Sequence, residues 1–434
     1  MENKKSRLLV TREGVSYVLP FIVVTCCFAL WGFANDITNP MVKAFSKIFR
    51  MSVTDGTLVQ VAFYGGYFCM ALPAAMFIRR HSFKSGIVMG LALYALGVLL
   101  FLPARAMGIF WPFLVAYFIL TCGLSFLETS ANPYILLMGD AETATRRLNF
   151  AQSFNPIGSL AGMFVAMTFI QARLSPLDTA QRATLGDAEF ESLKQSDLAV
   201  LVQPYVLLSV VIIVLLVVLL VVRVPALREG AHDRQAPLLP AVRRLWSNRS
   251  YRSGVVAQFF YVGAQITCWT FIIQYGTRVF MAEGLTEQAA EVLSQRYNIV
   301  AMVIFCLMRF VNIYLMKYVK PGRLMAAFAA VAIVLLMGVI FIGGRVGMCC
   351  LVGVSACMSL MFPTIYGIAL GGVQDDAEVG SAGLIMAILG GSLLPAVQAM
   401  IIDSNAQWLP AVNLSFVVPV VCFVVVMCYG HRHS

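Results

Sequence analysis

The chain has 434 residues, of which 60% are hydrophobic and only 12% are charged. Soluble proteins average about 25% charged residues, so this composition excludes an ordinary soluble globule. The formal net charge of +10 is compatible with nucleic-acid binding, but no polar segment carries a basic stripe with interleaved aromatic residues, and we expect no nucleic-acid partner.

Long apolar runs recur along the whole chain. A helix needs roughly 20 apolar residues to cross about 30 Å of hydrocarbon, and twelve runs meet this length. They predict an all-α integral membrane protein with twelve transmembrane helices. The predicted spans are 18–42, 56–78, 85–103, 109–137, 148–172, 198–223, 252–280, 294–317, 323–343, 346–371, 379–402 and 409–429.

Basic residues indicate how these spans are oriented. Twelve crossings place both termini on one side of the membrane, and that side carries about twice as many Lys and Arg residues as the other. We therefore expect cytoplasmic termini in a multi-pass protein of the cell inner (plasma) membrane. The first apolar run is too long for a cleavable signal sequence, so we expect it to remain as the first span.

One long hydrophilic break, rich in Arg and Pro, separates six spans from six. It predicts an N-terminal six-helix bundle at 1–223, a cytoplasmic linker at 224–250 and a C-terminal six-helix bundle at 251–434. Equal numbers of spans around a central linker suggest two related halves. A second polar stretch, 173–197, is acidic and amphipathic, and we interpret it as an external surface helix or an ordered loop.

Carboxyl groups inside the spans are the first functional signal. Of 21 acidic residues, only Asp36 in the first span and Glu128 in the fourth lie within predicted spans. An ionised carboxylate at bilayer depth is costly, so it faces water, pairs with a cation or binds a proton. We predict proton-coupling roles for Glu128 and Asp36. A purely structural carboxyl, or coupling to sodium, stays open as the alternative.

Polar side chains recur at helical spacing on four spans, as in Ser125, Glu128 and Asn132 of the fourth. Amide groups both donate and accept hydrogen bonds, and an aromatic ring can stack on a pyranose, so this set suits a sugar. For any single residue, a hydrogen bond between helices is the alternative role. The predicted substrate-binding residues are Asn35, Asn39, Asn132, Gln152, Asn155, Gln258, Tyr261, Gln265 and Trp269.

The sequence lacks the residue patterns that other kinds of functional site require. No Lys follows a Gly, which excludes a GxxxxGK[ST] phosphate loop, and the four His residues lack metal-ligand spacing. Most of the eleven Cys residues lie inside apolar runs, which argues against a disulfide framework. We expect no metal, no cofactor and no enzymatic activity. The buried cation Arg309 is expected to pair with a helix end or a carboxylate, in a structural or gating role.

Four segments carry a resemblance to a known family: WGFAN at 31–35, FLETSANP at 126–133, LNFAQSFN at 148–155 and AQFFYVGAQITCW at 257–269. They resemble the L-fucose:proton symporter (fucose permease) family of the major facilitator superfamily, and the likeness runs nearly end to end. The resemblance implies the major facilitator fold, two six-helix bundles that rock around a central site lined by helices one, four, seven and ten.

The resemblance also implies roles for individual residues. The fourth-helix glutamate of the family, regarded as its protonation site, falls on Glu128. The first-helix aspartate of the family falls on Asn39, and the only acid nearby is Asp36, displaced by roughly 4.5 Å along the helix toward the cytoplasm. Whether Asp36 substitutes for that aspartate stays open.

These observations lead us to expect a monosaccharide importer coupled to protons, with L-fucose as the first candidate substrate. Glucose, galactose and N-acetylglucosamine are alternatives, since related members carry such sugars. A proton-driven exporter of hydrophobic compounds is a further alternative, against which the amide-rich helices argue, and an uncoupled facilitator is another. We expect a monomer surrounded by membrane lipid, with a sugar and a proton as its small-molecule partners.

Overall fold

The computed structural model describes residues 17–38, 41–51, 58–175, 177, 181–182, 184–221, 238–373, 376–403 and 410–434. Asn39 and the predicted linker as far as residue 237 lie outside the described residues.

Twelve helical segments of the described chain are long and apolar enough to cross a membrane, which confirms the predicted all-α fold with twelve spans. Each overlaps one predicted span. They are Val18–Thr38, Val61–Arg80, Phe83–Met107, Trp111–Leu137, Ala141–Ile170, Asp187–Val221, Arg249–Ala282, Ala289–Leu315, Pro321–Phe341, Gly344–Gly371, Ala377–Ile402 and Ala411–Arg432.

Several spans consist of more than one helix. In chain order the α-helices are α1 Val18–Thr38, α2 Met41–Ile48, α3 Leu58–Arg80, α4 Phe83–Leu99, α5 Phe101–Met107, α6 Trp111–Leu137, α7 Ala144–Gln152, α8 Phe154–Val165, α9 Asp187–Val221, α10 Leu238–Ser247, α11 Arg249–Ala282, α12 Glu287–Leu315, α13 Pro321–Phe341, α14 Gly344–Met358, α15 Met361–Gly371, α16 Ala377–Met386, α17 Gly390–Asp403, α18 Ala411–Leu414 and α19 Val417–Arg432. The segment Ala166–Gln171 continues α8 as a π-helix.

The helices form two compact units. The N-terminal unit comprises Ser16–Ile135 and Phe154–Ala236, and the C-terminal unit comprises Leu136–Ser153 and Pro237–Ser434. The short helix α7 therefore packs with the second half of the chain, although the predicted boundary places it in the first. The division into two six-helix bundles stays a prediction.

Within the N-terminal unit, α1 and α8 pack with their backbones in close approach. A Cβ atom at Gly158 would lie 1.8 Å from the carbonyl oxygen of Ala29, and one at Gly162 would lie 2.6 Å from that of Phe33. Small residues spaced by four allow such contact between membrane helices. The contact fixes the position of the first span against the fifth.

The polar connection before α9 is held by a buried ion pair. Arg182 and Asp197 lie 2.6 Å apart, with 1% and 3% of their side chains exposed. The second oxygen of Asp197 accepts a hydrogen bond from the Ser175 amide at 3.0 Å, and the guanidinium of Arg50 lies 3.5 Å from the ring centre of Phe190. The part of this stretch from Asp187 onward is one continuous helix with the sixth span.

Within the C-terminal unit, α10 leads directly into α11. The side chain of Asn248 caps α11 by accepting hydrogen bonds from the amides of Ser250 and Tyr251, at 2.9 and 3.2 Å. Such a cap satisfies amide groups that have no partner within the helix. The cap therefore separates a short helix that is not a span from the seventh span.

Candidate functional site

Glu128 lies in the interior of α6, with 1% of its surface exposed. Neither of its carboxyl oxygens has a hydrogen-bond partner among the described residues. The main chain around it is held by neighbours: the Asn132 amide donates to the Glu128 carbonyl at 3.1 Å, and the Ser125 hydroxyl donates to the Tyr67 carbonyl at 3.2 Å. The fold thus positions a buried carboxyl group inside the fourth span, where no other carboxylate of the described residues lies.

Tyr67 of α3 is the polar neighbour of Glu128, and sequence reasoning missed it. The Tyr67 phenol and the Glu128 carboxyl interact electrostatically, and each is otherwise without a hydrogen-bond partner among the described residues. Gly66 allows α3 to approach α6, since a Cβ there would lie 2.8 Å from the Phe118 carbonyl oxygen. The sequence signal was the pair Tyr64 and Tyr67, which the helical period places on one face of the second span.

The polar residues of α1 occupy different environments. Asp36 is half-buried and interacts electrostatically with Tyr64 of α3, whereas Asn35 is exposed. Trp31 is buried on the same helix. Asn39, the predicted sugar contact at the family's aspartate position, lies outside the described residues.

Asn149, Gln152 and Asn155 recur every third residue in the fifth span, which predicts one polar face, but a break at Ser153 between α7 and α8 divides them. Asn155 of α8 is half-buried, and its amide donates to the Phe28 carbonyl of α1 at 3.3 Å. Gln152 and Asn149, in α7, are buried in the C-terminal unit. The three residues therefore do not share one helix face.

Gln258 of α11 has the least satisfied amide among the predicted sugar contacts. The residue is fully buried, and neither its amide nitrogen nor its amide oxygen has a hydrogen-bond partner among the described residues. An unpartnered buried polar group destabilises a fold, so it requires an explanation such as a ligand.

The aromatic residues of α11 are anchored through their polar atoms. The Tyr261 hydroxyl donates to the Met358 carbonyl at 3.0 Å, and the Trp269 indole donates to the Ser355 hydroxyl at 3.1 Å. The Trp269 ring also meets Phe305 edge to face at 5.0 Å. Gln265, which lies between Tyr261 and Trp269 in the sequence, is half-buried. These contacts hold the rings in fixed orientations.

Arg309 of α12 pairs with a helix end, one of its two predicted partners. Its guanidinium donates to the carbonyl of Gln152, the last residue of α7, at 2.5 Å. It also lies 5.0 Å from the Phe305 ring centre. Nearby, the Asn149 amide donates to the Thr364 hydroxyl of α15 at 3.3 Å. A cation at a helix C-terminus is electrostatically favourable.

Together these groups can perform two kinds of chemistry. The Glu128 carboxyl can take up and release a proton, because burial penalises its charged form more strongly than the neighbouring Tyr67 phenol favours it. The amide of Gln258 can donate to and accept from a hydroxyl group. Neither function needs a metal.

The chain is similar in sequence to known transport proteins. Residues 24–395 match the Major Facilitator Superfamily. The chain is 50% identical to the L-fucose-proton symporter of Haemophilus influenzae over 423 residues, covering 96% of each chain. It is 30% identical to the glucose/galactose transporter of Brucella abortus over 421 residues, covering 97% of this chain and 95% of the other.

A solved structure extends the comparison to the fold. The crystal structure of the E. coli fucose:proton symporter, FucP, matches with a TM-score of 0.87 and 30% identity, covering 97% of this chain and 100% of the other. The likeness thus runs from end to end in both sequence and structure. The chain belongs to the major facilitator superfamily and, within it, to the family of the L-fucose-proton symporters.

Proposed function

We propose that this protein imports L-fucose together with a proton across the inner membrane, with both termini in the cytoplasm. The single observation that carries the proposal is the Glu128 carboxyl, buried in the fourth span of a symporter-family chain without a hydrogen-bond partner among the described residues. The basic residues on the side of the termini support the orientation.

The coupling follows from the cost of a buried charge. Deprotonated Glu128 opposes any rearrangement that moves it through a dry environment, whereas the protonated form is neutral. Proton and sugar then favour the same state of the carrier, and each tightens the binding of the other. Tyr67 is placed to interact with whichever form is present, and Asp36 is the second candidate for proton coupling.

The sugar contacts are proposed on the chemistry of the side chains. Gln258 offers an amide without a partner among the described residues, and Trp269 offers a ring held by Ser355 and Phe305. The other proposed contacts share amide or phenol groups on spans one, four, five and seven. They are Asn35, Asn39, Asn132, Gln152, Asn155, Tyr261 and Gln265.

Another hexose is the second candidate substrate, favoured by the identity to the Brucella abortus glucose/galactose transporter. A panel of labelled L-fucose, D-galactose, D-glucose and N-acetylglucosamine, offered to reconstituted vesicles with an imposed pH gradient, separates these substrates. L-fucose should accumulate to the highest level. Accumulation of another sugar to a higher level would overturn the assignment of L-fucose.

The proton role is tested by Glu128→Gln. The variant should lose pH-driven accumulation of the sugar but retain counterflow exchange at equal pH, because an amide mimics the neutral carboxyl and cannot titrate. The matched control is Glu189→Gln, which removes an exposed carboxylate. Full pH-driven accumulation by Glu128→Gln would contradict the proposal, and loss of counterflow as well would point to a structural role for Glu128.

A further inference from the structure

The short helix α10, which precedes the seventh span, carries an apolar face that the described residues do not cover. Leu239, Val242 and Trp246 are 77%, 37% and 58% exposed. At about 100° per residue they lie within roughly 60° of arc on the helix surface. Ala241 and Leu245, centred roughly 110° around the helix from that face, are buried. The helix is therefore apolar on two faces, and only one of them packs against the protein.

The buried face of α10 is fixed to the C-terminal unit. Arg244 makes two hydrogen bonds with the carboxylate of Asp376, at 2.9 and 2.7 Å, just before α16 begins. Two-point binding of this kind sets orientation as well as distance. Leu245 also lies close to Gly380 of α16. The exposed apolar face thus points in a defined direction and is not free to turn inward.

The depth of α10 in the membrane follows from α11. Two exposed arginines, Arg252 and Arg278, lie near the two ends of α11. They are 26 residues apart, which is roughly 39 Å of helix and matches the bilayer thickness between its headgroup layers. Arg252 therefore marks the headgroup level, and α10 ends only a few residues before it. The helix lies on the membrane face that carries the chain termini, because it follows six spans.

Basic residues border the exposed apolar face. Arg243 is exposed on α10, about 40° around the helix from Leu239, and Arg249 and Arg252 are exposed in the first turn of α11. An interfacial helix typically combines Leu and Trp on one face with Arg on its border, and such a border attracts anionic lipids. Trp also favours the boundary between headgroups and acyl chains.

We propose that α10 is an interfacial helix that binds anionic phospholipid in the leaflet on the side of the termini. Leu239, Val242 and Trp246 lie in the boundary between headgroups and acyl chains. Arg243, Arg249 and Arg252 bind the phosphate and other anionic groups of phosphatidylglycerol-type headgroups. This lipid site is independent of the sugar and the proton.

The test uses Trp246 as a local reporter in the intact, reconstituted protein. The emission of Trp246 is obtained by subtracting the fluorescence of Trp246→Phe from that of the unmodified protein. Both proteins are reconstituted in phosphatidylcholine vesicles that contain a minority of acyl-brominated lipid. Brominated phosphatidylglycerol should quench this signal more strongly than brominated phosphatidylcholine at the same fraction, and aqueous iodide should quench it weakly. Quenching by iodide but not by brominated lipid, or by neither, would overturn the interfacial placement.

The charge requirement is tested by Arg243→Gln with Arg249→Gln. The preference for phosphatidylglycerol should fall by roughly fivefold for each arginine removed. The matched control, Arg278→Gln with Arg345→Gln, removes two exposed arginines from the opposite side of the membrane and should leave the preference unchanged. An unchanged preference in the Arg243/Arg249 variant, or an equal loss in the control, would overturn the anionic-lipid site.

Discussion

Arg309 donates a hydrogen bond to the main-chain carbonyl of Gln152, at the C-terminal end of α7. No carboxylate forms an ion pair with Arg309 among the residues that the structure describes. The buried cation is instead stabilised by the negative end of a helix and by the face of Phe305. The contact joins α7 to α12 within the C-terminal unit.

Replacing Arg309 should therefore loosen α7. In Arg309→Gln, hydrogen exchange of the amides in 144–152 is expected to rise by roughly tenfold or more, since a hydrogen bond to a charged group contributes about 1.5–3 kcal/mol. Arg278→Gln, which changes an exposed arginine of the same unit, is the control and should leave these amides unaffected. Unchanged exchange in Arg309→Gln would show that other contacts hold α7.

Replacing Gln258 should weaken sugar binding without lowering the stability of the fold. Gln258→Leu replaces two buried polar atoms, which have no partner within the described part of the chain, by an apolar side chain of similar size, so the melting temperature should stay the same or rise. Sugar affinity should fall by about tenfold or more, because a hydroxyl of the ligand loses its partner. Binding is measured by equilibrium titration of the purified protein.

The control for Gln258 is Gln398→Leu in α17. Gln398 is also a fully buried glutamine, but its amide donates to the Ser415 hydroxyl at 3.1 Å. This variant should lose stability by about 1 kcal/mol and keep its sugar affinity. A destabilised Gln258→Leu that still binds sugar normally would assign Gln258 to the fold instead of to the ligand.

The buried ion pair of the N-terminal unit should be far more important for stability than an exposed one. Asp197→Ala leaves Arg182 buried without its partner and should destabilise the protein by about 3–5 kcal/mol. Glu283→Ala breaks the Arg345 pair, whose side chains are 65% and 31% exposed, and should cost less than about 1 kcal/mol. Thermal unfolding in detergent compares the two.

A double variant checks the reason for this difference. In Arg182→Leu with Asp197→Leu no buried charge is left unpaired, so much of the lost stability should return. If the double variant melted below Asp197→Ala, the contacts of Arg182 with the Leu177 and Ser175 carbonyls would be the stabilising feature.

The contact between α1 and α8 should not tolerate a methyl group. Gly158→Ala places a Cβ 1.8 Å from the Ala29 carbonyl oxygen, so the two helices must separate. Overpacking a core typically costs about 1–3 kcal/mol, and the loss of stability here should be larger. Gly65→Ala is the control, since a Cβ there meets nothing within 4 Å and favours the helix. Equal melting temperatures for the two variants would contradict the close packing.

The twelve spans could be predicted because the bilayer imposes a minimum length on every apolar helix, and that length is visible in one sequence. A proline break at Asn155-Pro156 was predicted in the fifth span, but its effect on the polar face of that span was not. Asn149, Gln152 and Asn155 recur every third residue, which favours one continuous face, yet α7 ends at Gln152. The available signal was Pro156, which lies in the first turn of α8, where its missing N–H disrupts no helical hydrogen bond.

Only part of the candidate site could be predicted from the sequence. Glu128 stands out because charge is rare in the spans, and Arg309 stands out likewise. The neighbour of Glu128, Tyr67, is 61 residues away in the chain, and its position depends on how α3 packs against α6 through Gly66. Hydropathy and spacing report on one helix at a time, so contacts between helices stay hidden.

The isolation of Gln258 has a consequence for selectivity. Folding has already removed this amide from solvent, so a ligand that reaches it gains directional bonds without first dehydrating the protein group. A deoxy analogue without the matching hydroxyl would leave both amide atoms unbonded, and such sites reject the analogue much more strongly than the loss of one oxygen suggests. With Gln258 as the proposed sugar contact, discrimination between sugars by their hydroxyl pattern would be a property of the folded chain before any sugar arrives.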